Sequence, residues 1–401
     1  MTLSNARHAP RLLLPALLAI AALLAIVIGA GQGGLAASYF LKQRGIDHLV
    51  LDANPIAGGA WQHRWDSLTM DDVHGVADLP GEAAPARSAK RANVVVPQYF
   101  AAYERRHDLP VERPVEVTRV TSDGDLLVVH AGDRAWRTRT LVNATGTWTR
   151  PNRPDYPGID DFAGRILHSM DWDDDYDPAG ERIGLIGTGA TAVQLIPELS
   201  KTAADLTVYQ RTPIHVVPKM DFAIPPVVRR LFARVPLLQR LFRFTTDANL
   251  EVMMILSVIN YKYFRQLNVG ASYLSQLLRF VSIRDKKLRA ELTPDYDFGC
   301  KRPTYSNSYY RTLAKPHVHL QTSGIERIVP EGIVACDGTM NLIDTLVLCT
   351  GFDIWEANIP AIEVIGRDAR NLGKWWRDNG FQAYQGVTIP AFPNFISLAG
   401  P

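Results

Sequence analysis

An α/β fold is predicted for this chain: two strand–helix–strand units, each opened by a glycine-rich turn, with a helical insertion in the second half. Three observations carry the expectation. The strand Ala25–Ile28 runs into Gly29-x-Gly31-x-x-Gly34, and the strand Arg182–Ile186 runs into Gly187-x-Gly189-x-x-Ala192. Between about 219 and 292 glycines become few and apolar residues recur at helical spacing. The length, 401 residues, is enough for two or three domains with cores of their own.

In the first unit each glycine has a physical task. Gly29 permits the tight turn, Gly31 lets the backbone approach a pyrophosphate, and Gly34 lets the helix pack closely. The helix read over Leu35–Arg44 offers free N–H groups and about half a positive charge at its N-terminus. The strand His48–Leu51 ends at Asp52, where a carboxylate can bind ribose hydroxyls. A lone glycine triplet says little. With the strand, the helix and the terminal acid in place it marks a dinucleotide site of Rossmann-like type.

The second unit repeats the pattern with Gly187, Gly189 and Ala192, then the helix Val193–Leu199. Its next strand, Leu206–Tyr209, ends in Gln210-Arg211-Thr212 instead of an acid. A carboxylate there would repel a 2′-phosphate, whereas Arg211 pairs with one. The first site therefore suits a dinucleotide with free ribose hydroxyls, and the second suits NADP.

A β-rich stretch, Val115–Val129, separates the two units and turns at Asp123-Gly124. Two apolar strands end alike, in Ala144-Thr145-Gly146 and in Cys349-Thr350-Gly351, and both are read as crossings between domains. The expected division is 25–150 and 349–401 for the first dinucleotide domain, 151–218 and 299–348 for the second, and 219–298 for the insertion. In the insertion Val228, Leu231, Phe232 and Val235, then Leu274, Leu277 and Leu278, recur at helical spacing; the pair Met253-Met254 and the aromatic residues are read at most positions as core packing, and the segment as a cover over a substrate pocket. A membrane-surface role for it is a further reading.

Composition narrows the remaining classes. With 47% hydrophobic and 21% charged residues the chain is an ordinary globular protein, and a net charge of +2 gives no reason to expect nucleic acid as a partner. The three cysteines, Cys300, Cys336 and Cys349, form no C-x-x-C pair, which fits a reducing, cytoplasmic compartment. The apolar run from Leu12 to Ile28 is interrupted by Pro15, and its last part is the first strand. What remains is short of the ~20 residues of a spanning helix. An anchor giving weak membrane association, a signal-peptide core and a misassigned start all stay open.

Further residues carry a family resemblance. Phe162-x-Gly164-x-x-x-His168-x-x-x-Trp172-Asp173 fits the Baeyer–Villiger signature at every fixed position. Gly58, Gly59, Trp61 and Asp72 match the ends of a second family element, while Asp66, Ser67 and Leu68 stand where an aromatic residue, proline and glycine are expected. The run Arg64–Leu68 looks more like broader flavin-monooxygenase relatives. Gly299-Cys300-Lys301-Arg302-Pro303 resembles the segment that carries an active-site arginine. The chain is thus similar, from Ala25 onward, to class B flavoprotein monooxygenases, the group of the Baeyer–Villiger and flavin-containing monooxygenases.

The resemblance implies FAD in the first domain and NADPH in the second, with Gly59 and Trp61 on the flavin side and Lys301 near the NADP phosphate. It implies hydride transfer from NADPH to FAD, addition of O2 at flavin carbon C4a, and oxygenation of a small hydrophobic substrate, foremost a ketone. Arg302 is then the catalytic cation, Asp72 its carboxylate partner, and His168 a link between domains. Oxygenation of sulfur or nitrogen, terminal hydroxylation, peroxide-releasing NADPH oxidation and an inactive cofactor-binding remnant remain as alternatives. In the family the strand matched by Phe395–Leu398 leads through Gly-Pro into a helix facing the flavin, so a truncation after Pro401 is expected.

Overall fold

The computed structural model describes residues 22–398 apart from 74–75, 149, 174, 220–225, 239, 243, 246–247, 249–254, 256–262, 264, 302 and 353–360. The apolar run before the first strand, the Met253-Met254 pair and Arg302 therefore lie outside the described residues.

Strand β1 (Leu23–Ile28) starts two residues earlier than the sequence suggests, and its last four side chains are all buried. It is followed by helix α1 (Gln32–Gln43) and β2 (His48–Leu51), which pairs with β1 in parallel. A parallel strand covered on both faces reads as a continuous apolar run, which is the character of Leu23–Ile28. Val27, Leu35 and Val50 enter one core with Val96 and Phe100 of helix α2 (Ala92–Arg106).

The first sheet is completed by β3 (Val111–Glu112), β4 (Arg119–Asp123), β5 (Leu126–Ala131) and β6 (Arg134–Asn143). Strands β4 to β6 form an antiparallel meander, the turn at Asp123-Gly124 included. Two strands from the far end of the chain, Glu363–Ile365 and Phe395–Ser397, join β4 and β6 in parallel, giving eight strands.

The second sheet is all parallel. It contains β7 (Arg165–His168), β8 (Arg182–Ile186) and β9 (Asp205–Tyr209), with the later strands Val318–Gln321 and Thr345–Leu348. Across the sheet Val318–Gln321 lies at one edge, then come β9, β8 and Thr345–Leu348, and β7 forms the other edge. Helix α3 (Ala190–Leu199) links β8 to β9, as α1 links β1 to β2. Three antiparallel strands over 325–342 flank this sheet, and Ile328 and Ile333 pack with Ile186 and Leu346.

Chain direction explains how the two sheets meet. β6 of the first sheet is followed by β7 of the second, and Thr345–Leu348 of the second by Glu363–Ile365 of the first. The two crossings run antiparallel, with a bridge between Pro151 and Phe352 and a bond from Asn152 N–H to the Gly351 carbonyl at 2.9 Å.

The insertion corrects one expectation. Helices Pro226–Arg234 and Arg265–Ser282 form at the helical spacing, but the aromatic residues Phe242, Phe244, Tyr273 and Phe280 are exposed instead of packed in a core, as are Leu231, Val235, Leu274 and Leu277, while Leu278 packs against the core. On the second helix the polar stripe Asn268, Ser275 and Arg279 faces inward. Arg279 has a partner on that side: its Nη1 donates to Tyr310 Oη at 3.3 Å and its guanidinium lies 5.9 Å from the Tyr310 ring, next to Leu278 packed against the core.

Candidate functional site: two nucleotide units and their crossings

The first glycine turn opens on a cavity of about 530 Å³. A Cβ on Gly29, whose φ is +96°, would lie 2.5 Å from the Ala144 carbonyl oxygen, and one on Gly34 would lie 1.8 Å from the Gly29 oxygen. Both positions are closed to any side chain. A Cβ on Gly31 would meet nothing within 4 Å, and Gly31 lines the cavity, so its glycine serves access. As N-cap of α1, Gly31 gives no side-chain cap to the first-turn N–H groups. Gly59, with φ +53°, folds over this turn, where a Cβ would lie 3.1 Å from Gly31 Cα, and Trp61 lines the wall beyond.

Asp52 is buried at the same cavity. Oδ1 accepts from Asn54 N at 3.1 Å and Asn54 Nδ2 at 2.9 Å, and Oδ2 accepts from Arg113 Nε at 3.2 Å. A carboxylate has about four acceptor positions. With three taken, one is left to face a ligand hydroxyl.

The second unit repeats the turn. A Cβ on Gly187, φ +113°, would lie 2.4 Å from the Cys349 carbonyl oxygen, while that of Gly189 is open. Ala192 is fully buried under the turn, and Gly189, like Gly31, is an N-cap without a side-chain bond. Each first glycine thus lies beneath the strand end that carries Thr-Gly, Ala144 in one unit and Cys349 in the other. Thr188 Oγ1 donates to the Thr212 carbonyl at 2.9 Å and ties the turn to the end of β9. Arg211 is exposed there. Lys301, distant in sequence, has its Nζ 4.7 Å from the Tyr296 ring centre, and Tyr296 Oη donates to the Pro213 carbonyl at 3.0 Å. Both cations therefore stand around the loop after β9.

At the crossings His168 ends β7 and is buried. Its Nδ1 accepts from Met170 N at 3.1 Å, which leaves the proton on Nε2, 3.5 Å from Thr350 Oγ1. Burial, then the charge of Arg153, lowers its pKa, so the ring is held neutral. Phe352 stands edge-on to His168, and stacks on Trp148 with 5.8 Å between centres. Gly164 has its reason here as well. A Cβ would meet the Asp344 oxygen at 2.2 Å and the Phe162 ring at 2.6 Å.

The family model described as pyridine nucleotide-disulphide oxidoreductase matches residues 26–248, more than half of the chain. A Baeyer-Villiger monooxygenase of Streptomyces coelicolor is 32% identical over 399 residues, covering 94% of this chain and 72% of that protein. This chain belongs to the Baeyer–Villiger monooxygenases. Solved structures agree in architecture: an OTEMO complex with FAD and NADP superposes with TM-score 0.81 at 26% identity, covering 95% of this chain and 80% of that one. An open cyclohexanone monooxygenase gives 0.78 at 25%, covering 95% and 83%. The class B resemblance and the α/β architecture read from the sequence both stand. The disulphide chemistry in the family description has no counterpart among the described residues, where Cys300, Cys336 and Cys349 are free thiols.

Within this Baeyer–Villiger monooxygenase Asp72 sits on a second, smaller cleft of about 180 Å³, lined by Leu68, Gln194, Lys219 and Tyr305–Ser308. Its Oδ2 accepts from Thr69 N at 3.2 Å and Thr69 Oγ1 at 2.6 Å, and Oδ1 lies 3.8 Å from Lys219 Nζ. The expected carboxylate–Arg302 pair falls outside the described residues. Three residues at the site escaped the sequence reading: Arg113 behind Asp52, Glu104 behind Arg113, and Arg64 against Trp148. Only the third lay in a stretch the motifs had singled out. Arg113 is 61 residues from its partner and no local pattern announces the pair.

Proposed function

We propose that this chain is an FAD- and NADPH-dependent monooxygenase that converts a small hydrophobic ketone and O2 into an ester or lactone. The observation that carries the reading is the contrast between two otherwise equivalent glycine-turn units, an acid (Asp52) closing one and a cation (Arg211) standing at the other. FAD, when bound, accepts hydride from NADPH and passes its electrons to O2.

The residues do the holding and the placing. The N–H groups at Gly31 and the open end of α1 take the FAD pyrophosphate, and Asp52 takes a ribose hydroxyl. Gly59 and Trp61 close the wall around the flavin side. Gly189 and its helix receive the NADP pyrophosphate, with Arg211, Thr212 and Lys301 around the 2′-phosphate. His168 holds Met170 and Thr350, which stand where the two units meet, and so fixes how they join. Arg302 is assigned as the fixed cation for charge that develops at the carbonyl oxygen, with Asp72 to position it.

A hydrophobic ketone is supported by the relative whose structure bears the name of cyclohexanone. Heteroatom oxygenation is the second reading, favoured by Asp66, Ser67 and Leu68 in place of the ketone-oxidising element. Weak membrane association through the run before Ala25 belongs to the reading too. Among the described residues no helix is long and apolar enough to cross a membrane.

The test is a visible spectrum of FAD-loaded protein before and after anaerobic NADPH, followed by air and product analysis. Bleaching by NADPH and conversion of a cyclic ketone to its lactone are expected. NADPH consumption matched by peroxide, with ketone and sulfide both untouched, would reject oxygenation.

A further inference from the structure

The cavity of the first unit has a charge beside it that the reading above leaves unused. Arg64 is 7% exposed, and among the described residues nothing accepts a hydrogen bond from its guanidinium. No nearby carboxylate acts on it: burial alone pulls its pKa down to about 10. Its contacts are aromatic, with Cζ 4.4 Å from the centre of Trp148 and 6.0 Å from that of Trp65. Among the described residues, half-buried Arg113 is matched by Asp52 and Glu104, and buried Arg279 donates to the Tyr310 hydroxyl. A buried charge with no counter-ion costs more than a ring contact returns. The fold therefore keeps this cation against its own stability. It stands behind the ring of Trp148, with that ring between it and the cavity wall.

Place decides what the charge is for. Trp148 lines the cavity and stands on the first crossing, stacked on Phe352 of the second. A nicotinamide held by the second unit can meet a flavin only near this boundary, so the Trp148 end of the cavity is the end for the flavin ring. Arg64 also opens the stretch Arg64–Leu68, where this chain departs from the ketone-oxidising element.

We propose that Arg64 is the electrostatic partner of the flavin ring, favouring the negative charge the ring gains on reduction and thereby raising its reduction potential. In that step one hydride, two electrons with one proton, passes from NADPH to the ring, leaving NADP⁺ and one negative charge on the reduced ring. The inference rests on FAD occupying the first unit.

The test compares parent, Arg64→Met and Arg64→Lys proteins by the midpoint potential of bound FAD, the Kd for oxidised FAD, and the thermal midpoint of FAD-free protein. Arg64→Met should bind reduced FAD, relative to oxidised FAD, about tenfold less tightly, equivalent to a midpoint about 30 mV lower for two electrons. Arg64→Lys should keep most of the parent potential. FAD-free Arg64→Met should melt no lower than the parent, since an uncompensated charge has gone. An unchanged midpoint in Arg64→Met rejects the proposal, and so does a large loss of FAD-free stability, which would make Arg64 a packing residue. If Arg64→Met retains no FAD, equal potentials in Arg64→Lys and Arg64→Gln reject it instead. A parent protein that takes up no FAD rejects the cofactor reading itself, a result separate from an FAD-bound protein indifferent to Arg64.

Discussion

Arg113 stands behind Asp52, its Nε 3.2 Å from Asp52 Oδ2, while Nη1 and Nη2 fork onto Glu104 at 2.8 and 2.6 Å. One cation thus separates two carboxylates that are both largely out of water. Breaking such a group from the middle leaves two like charges facing each other. Arg113→Met should cost about 3 kcal/mol in denaturant unfolding. It should also weaken FAD binding, because Asp52 loses the group that aims it. Adding Glu104→Gln should return part of the stability and little of the FAD affinity. If the double variant recovers no stability, the charge argument fails.

The glycines of the first fingerprint should separate by function. Gly34→Ala forces a Cβ to within 1.8 Å of the Gly29 oxygen, a clash that backbone cannot escape cheaply. Its expected outcome is loss of folded protein. Gly31→Ala meets nothing within 4 Å, so the fold should survive with FAD retention lost. Circular dichroism and flavin content, measured on both, decide it. A Gly31→Ala protein that keeps its flavin would remove Gly31 from the pyrophosphate site.

At the second unit the prediction concerns coenzyme choice. A charge-assisted bond to a 2′-phosphate is worth about 1.5–3 kcal/mol, so Arg211→Ala should raise KM for NADPH by roughly 10- to 100-fold. KM for NADH should barely move. Lys301→Ala should act in the same direction with a smaller effect, because its Nζ rests over Tyr296 beside the loop after β9. Equal losses with both coenzymes would assign these residues to the loop's structure instead.

Much of this molecule was legible because it repeats local patterns. Strand, glycine turn, helix and second strand follow within a few tens of residues in both units, and hydrophobic burial on both faces leaves an apolar run that a reader can see. The Thr-Gly strand ends were legible too, and the positions of Ala144 and Cys349 over Gly29 and Gly187 give the reason. Relations that join distant positions were not. Arg113 finds Asp52 across 61 residues, and Lys301, placed near the NADP phosphate by resemblance alone, meets the β9 loop through Tyr296, a contact no local pattern announces. The helix Arg265–Ser282 misled for a different cause. Periodicity fixes which residues share a face, but which face turns inward depends on the surface it packs on, here one that takes Arg279 at Tyr310 and Leu278 at the core.

His168 offers the test in which pH is the variable. Its Nδ1 accepts from Met170 N, so a second proton has no place without breaking that bond, and burial lowers its pKa below 6.5. The unfolded chain takes up a proton at about 6.5, while the folded one resists. The stability tied to neutral His168 is therefore full above pH 6.5 and is lost as pH falls from there through the lowered value. His63 and His215 are lowered in the same direction, each chiefly by burial, so the parent protein should lose stability steadily below pH 6.5. Replacing His168 with Gln removes one titrating group, and the slope against pH should drop by at most about 1.4 kcal/mol per unit. Thermal midpoints from pH 5 to 7.5 provide the measurement. Parallel curves for the two proteins would mean that His168 accepts its second proton in the folded state as readily as in the unfolded one, and the neutral link between Met170 and Thr350 would have to be abandoned.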